Sequence, residues 1–72
     1  MLENLRKYRN ILNLRQEDVS QKTGVNVSKI CLIENGLRLK EDDPNRIKLE
    51  NFIREIEPEA QKRAAEIAGI TI

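Results

Sequence analysis

Residues that end helices fall so close together in this chain that its first half cannot build a long bundle. Asn13, Gly24 and Gly36 stand eleven and twelve residues apart, and each tolerates the left-handed backbone with which helices commonly close. Ahead of the first, Leu2, Leu5, Tyr8, Ile11 and Leu12 recur at three- and four-residue steps. That spacing predicts an amphipathic helix over 2–12, with Arg6, Lys7 and Arg9 off its apolar stripe. A second helix is expected to start at Arg15 or Gln16, where Glu17 and Asp18 meet the positive end of its dipole and Val19 makes the core contact. After Gly24, Val25 reads as a plug and Asn26 as the N-cap of a third helix from about Val27 to Asn35. Ile30, Ile33 and the stem of Glu34 share one side of that helix. Three helices this short, on turns this tight, must pack at steep angles.

Residues 37–43 carry no helical stripe and read as a connection. Asp43-Pro44 is a helix start, an N-cap carboxylate followed by a proline whose missing N–H costs nothing in the first turn. A fourth helix is expected from Pro44 to Glu57, burying Ile47, Leu49, Phe52, Ile53 and Ile56. Pro58 disfavours helix at the residue before it and begins the next one well, so a fifth is expected from Pro58 to Ala68 with Gly69 closing it. Its stripe is Ala60, Ala64, Ile67 and Ala68.

A chain of 72 residues hides roughly 60% of its unfolded surface, which leaves a single core worth about 3–5 kcal/mol unless something staples it. One cysteine, Cys31, cannot form an internal disulfide, and with no histidine the usual zinc and haem ligand sets are missing. No metal, cofactor or catalytic residue is therefore expected, and an enzyme is not. The sequence is 39% apolar and 35% charged, too balanced for disorder, and no apolar run approaches the roughly 20 residues a bilayer requires. The first residues lack the apolar stretch of a secretory signal, which points to the cytoplasm. Two aromatics, Tyr8 and Phe52, are too few to stack unpaired bases.

The net charge of +1 conceals a division. Residues 1–40 hold eight basic and four acidic groups, and residues 41–72 five basic and eight acidic. A chain polarised in this way can turn one face to a polyanion and keep the other clear of it.

The run from Arg15 to Gly36, together with Leu5-Arg6, Arg9, Leu14 and Gln16, the Gly24-Val25 turn, Ile30 and Ile33-Glu34-Asn35-Gly36, resembles the Cro/repressor-type helix-turn-helix of the Xre family. The likeness covers about residues 2–56. It implies an all-α, compact five-helix lambda-repressor-like DNA-binding domain with the helix-turn-helix at helices two and three. Residues 1–56 would form that domain, and residues 57–72 a C-terminal helix and tail. The family usually has serine or threonine where Arg15 stands, so the second helix lacks that cap and a cation occupies the unfavourable end of its dipole. It also commonly joins the third and fourth helices by a shorter link than the eight positions between Gly36 and Pro44.

The resemblance implies a sequence-specific regulator of transcription, a repressor of phage or mobile-element type. A helix about 10–12 Å across fits a major groove of roughly 12 Å. Opposite Ile30, Ile33 and Glu34 lies a ridge of Ser28 and Leu32 flanked by Val27, Lys29 and Cys31. Val27, Ser28, Lys29 and Leu32 are the candidates for base edges, with Ser28 donating or accepting and the leucine and valine touching thymine methyls. Phosphate contacts are expected from Arg15, Gln16, Lys22, Asn35, Arg38 and Lys40. The family's first-helix arginine often pairs with the glutamate at the position of Glu34, which implies structural roles for Arg9 and Glu34. For the tail, Ala60, Ala64, Ile67, Ala68 and Ile70 read as the seam of a homodimer. Double-stranded DNA and a second copy are thus the expected partners. A toxin or antirepressor is the alternative protein partner, with the chain acting as an antitoxin or as an adaptor that does not bind DNA.

Overall fold

A computed structural model describes residues 2–70, excluding the side chain of Ile70. A single 3-10 turn, Leu2–Asn4, leads into α1, Leu5–Ile11; α2 is Gln16–Thr23, α3 Val27–Glu34 and α4 Pro44–Ile70. No strand occurs among the described residues. The architecture is all-α, with α1, α2 and the 3-10 turn packed on α4 and α2 packed on α3.

The ends of the short helices are set by local chemistry. Asn13 adopts a φ of +56° just beyond α1, and Leu14 N–H donates to the Arg9 carbonyl at 2.8 Å. α2 begins without the serine or threonine cap, as expected, but Asp18 supplies a substitute. Its Oδ2 accepts the Arg15 backbone N–H at 2.8 Å and lies 3.7 Å from the Arg15 guanidinium, so the misplaced cation is countered within one turn. Asp43 caps α4, its Oδ1 accepting Asn45 N–H at 2.8 Å.

Leu5, Tyr8, Val19, Val25, Ile30, Ile33, Leu49, Phe52, Ile53 and Ala60 form the core, with Leu2, Ile11, Leu12, Leu14, Leu39 and Ile56 packed at its margin. The expected break at Pro58 is absent: α4 runs unbroken for 27 residues with Pro58 inside it. A proline in a helix removes one hydrogen bond and crowds the preceding turn. Here it sits on the exposed face, while Ile53 and Ala60 are fully buried on the other. The continuous apolar stripe on both sides outweighs the local penalty. Gly69 likewise continues the helix rather than closing it. Ile47 is 48% exposed rather than buried, because the face of α4 set by Leu49, Phe52 and Ile53 turns it outward. Ala60, read as part of a dimer seam, is fully buried in its own chain. The overall extents are 42 × 21 × 20 Å, the long axis reflecting α4.

Candidate nucleic-acid interface

The three residues between α2 and α3 fix how α3 is presented. Gly24 takes a φ of +78°, a conformation that costs an L side chain about 1–2 kcal/mol, and its N–H donates to the Ser20 carbonyl at 2.8 Å. Val25 plugs the core at 1% exposure, and its N–H donates to Thr23 Oγ1, which itself donates to the Val19 carbonyl. Asn26 then caps α3, Oδ1 accepting Ser28 N–H at 2.8 Å. At the far end Leu37 N–H returns to the Leu32 carbonyl at 2.9 Å and Gly36, at φ +109°, turns the chain away.

Held at both ends, α3 buries Ile30 and Ile33 and leaves Ser28 and Leu32 outside. Leu32 is 55% exposed, and Val27, Lys29 and Cys31 are half-buried beside it. The ridge therefore offers a hydroxyl, an ammonium and apolar surface from one short helix.

Behind the ridge lies a polar cluster centred on Glu34, whose side chain is wholly buried. Arg9 reaches it with two parallel bonds of 2.8 Å, Nε to Oε2 and Nη2 to Oε1, and donates a third from Nη1 to the Leu14 carbonyl at 2.9 Å. Gln16 Nε2 donates to Glu34 Oε1 at 3.0 Å, and Arg6 Nε approaches the same oxygen at 3.4 Å. One carboxylate thus ties together α1, the start of α2 and the end of α3. Burial pushes the Glu34 carboxyl up, but the donors from Arg9, Gln16 and Arg6, with the charge of Arg9, outweigh it and hold the group below its ordinary value. The bond to Glu34 raises Arg9 against the opposing effect of its own burial. Among the described residues no buried side-chain polar atom lacks a partner.

This cluster alters the picture of two expected phosphate contacts. Gln16 has one amide N–H engaged by Glu34, and its second remains for another acceptor. Asn35 is engaged on both sides, Oδ1 accepting Arg6 Nη2 at 3.2 Å and Nδ2 donating to the Cys31 carbonyl at 2.9 Å. Arg15, Arg38 and Lys40 are exposed. Lys22 stands apart, at a groove shared with Lys48, Asn51, Phe52 and Glu55 of α4. Sequence reasoning missed the bond from Arg6 to Asn35 and the inclusion of Gln16 in the Glu34 cluster. Residues 29 positions apart make the first, and only the folded chain juxtaposes them.

Of the expected seam, Ala64 is half-buried, and Ile67 and Ala68 are exposed; the side chain of Ile70 lies outside the described residues. No group of histidine, cysteine, aspartate or glutamate among the described residues could hold a metal ion, and no helix there is long and apolar enough to cross a membrane. No known family, curated protein or solved structure matches the chain.

Proposed function

We propose that this chain is a sequence-specific regulator that binds double-stranded DNA, a repressor of phage or mobile-element type, and that α3 of a helix-turn-helix reads the major groove. The observation that carries the reading is the outward ridge of α3. Ser28 and Leu32 face solvent on a helix whose other side is locked into the core. A leucine 55% exposed on a short, rigidly capped helix gains from contact with a thymine methyl, and the neighbouring Ser28 and Lys29 carry the hydrogen-bonding capacity to read a base edge. Arg15 before α2, with Arg38 and Lys40 beyond α3, supply cations on both sides for phosphates.

The Glu34 cluster serves this geometry as scaffolding. It fixes the start of α2 against the end of α3 and keeps the carboxylate enclosed by donors, so the negative charge is neutralised where DNA would approach. Gln16, steadied by Glu34, can offer its remaining N–H to a phosphate together with the free backbone N–H groups of the first turn of α2.

The test is selection of bound duplexes from a randomised pool, followed by titration of the selected sequence at several salt concentrations. Affinity is expected to fall steeply as salt rises. Leu32→Ala or Ser28→Ala should relax preference at one base pair per half-site by about 1–3 kcal/mol, whereas Arg38→Ala should weaken all duplexes alike. Absence of binding to any duplex in dilute buffer would leave the helix-turn-helix as an adaptor for protein contact and end the proposal.

A further inference from the structure

Where the 3-10 turn, the end of α3 and the start of α4 meet, the chain forms an open cleft of about 580 Å³, a size common among small-molecule sites. Its walls are of two kinds. Leu2 from the turn, Ile33 from α3 and Leu37 and Leu39 from the link are apolar, while Glu3, Arg38 and Arg46 bring charge. Ile33 belongs to the core, and Leu2 and Leu39 pack at its margin. Leu37 is 41% exposed, on a link already tied back to α3 by the bond from its N–H to the Leu32 carbonyl. Folding leaves it uncovered at the cleft.

Arg46 decides what such a cleft accepts. Its guanidinium is held by two bonds, Nε donating to Glu50 Oε1 at 3.0 Å and Nη1 to the Leu39 carbonyl at 2.9 Å. Of the five N–H groups of an arginine, three are then without a partner among the described residues. A planar fork already fixed by the protein, with donors unspent, matches a carboxylate and loses little side-chain freedom in binding it. The lining charges set the valence. Arg38 and Arg46 against Glu3 leave one positive charge, which a monoanion balances and a phosphate monoester exceeds. Glu50, bonded to the same guanidinium, and Glu41, Asp42 and Asp43 of the link lie outside the lining, and they add to the penalty on a second negative charge. We infer that this cleft binds a small monocarboxylate with an aliphatic body, the head on Arg46 and Arg38 and the body on Leu2, Leu37 and Leu39.

Such a ligand acts on duplex binding, a step that rests on the DNA reading. Arg38 is one of the cations assigned to phosphates beyond α3. A bound carboxylate engages it and places a negative charge beside it, where a phosphate would approach, well within the Debye length of about 8 Å. The ligand is therefore an inducer that weakens the duplex complex about 5-fold or more, and the duplex weakens the ligand by the same factor. Base preference, which belongs to Ser28 and Leu32 on the ridge, stays as it was.

The experiment titrates octanoate into the full chain without DNA and follows amide chemical shifts, with octanol, octylamine and octyl phosphate as the same body under other heads. Expected are saturation at about 1 mM or tighter, shifts centred on Leu37, Arg38, Leu39 and Arg46, and binding of the other three weaker by about 10-fold. Leu37→Asn, at an exposed position, and Arg46→Lys, which keeps the charge and loses the fork, should each weaken octanoate by about 5-fold or more with the helical spectrum unchanged. Octanol binding as tightly as octanoate, shifts centred elsewhere, no saturation, or unaltered affinity in both variants overturns the site, whatever the chain does with DNA. Saturating octanoate should then lower affinity for the selected duplex by about 5-fold in the parent and leave Leu37→Asn little changed. Octanoate binding with unchanged duplex affinity overturns the inducer role alone, and absence of duplex binding refutes the DNA reading while the first titration still decides the site.

Discussion

Replacing Glu34 by glutamine changes almost no volume and removes one charge from a carboxylate the fold encloses completely. Four N–H groups converge on it, three of them within 3.0 Å. A glutamine amide offers one accepting oxygen and one donating nitrogen, so at least one short bond from Arg9 is replaced by a donor facing a donor. Arg9, whose side chain is only 13% exposed, also loses its counter-charge. Breaking one partner of a buried pair costs about 3–5 kcal/mol, and because Arg9 keeps its bond to the Leu14 carbonyl the lower part of that range, about 3 kcal/mol, is expected here. A single core of this size supplies only about 3–5 kcal/mol in all. With a urea slope near 1 kcal/mol/M, the midpoint in a denaturation followed by helical circular dichroism should fall by about 3 M, leaving much of the variant unfolded in buffer. Arg9→Met combined with Glu34→Leu removes both charges and should recover most of the loss, since apolar replacement of a buried pair is often neutral. A Glu34→Gln midpoint within about 0.5 M of the parent would refute the assignment of Glu34 as the junction of the three helices.

The same carboxylate sets an acid limit. Its pKa in the folded chain lies below the ordinary 4.5, so the stability it adds is fully present above that value and is lost as pH falls through the folded pKa. Unfolding measured from pH 7 to pH 3 should show the parent and Glu34→Gln converging only at the acid end; a constant gap across the range would contradict this. Asn26→Ala removes the acceptor of Ser28 N–H and should cost about 1 kcal/mol, read as a lower thermal midpoint with the same helical spectrum. Pro58→Ala should stabilise the chain by about 1–3 kcal/mol, because it restores a hydrogen bond inside α4, and no gain would mean that the helix is already distorted to suit the ring.

The short elements were readable because their ends are decided by neighbours in sequence. Asn13 and Gly24 with positive φ, Asn26 as a cap and Asp43 before Pro44 each act within three or four residues. Pro58 misled because its penalty is local, while what keeps α4 whole is burial of Ile53 and Ala60 against helices far away in sequence. The same omission placed Ala60 in an outer seam and Ile47 in the core, since a periodic pattern gives the face of a helix but not how far along it the body reaches. On α3 the exposed ridge of Ser28 and Leu32 followed from 3.6-residue spacing. The partners of Gln16 and Asn35 did not, because they depend on where α1 crosses.

The last ten residues of α4 illustrate how a segment with little to lean on can still be helical. Fewer than about 12 residues cannot nucleate a stable helix in water, yet this stretch inherits a turn already formed at Ala60 and need only propagate. Its order should therefore decline turn by turn toward the end, with amide exchange fastest there and slowing toward Ile53. Anything that grips the far turn would slow exchange along the whole extension, because each turn stands on the one before it.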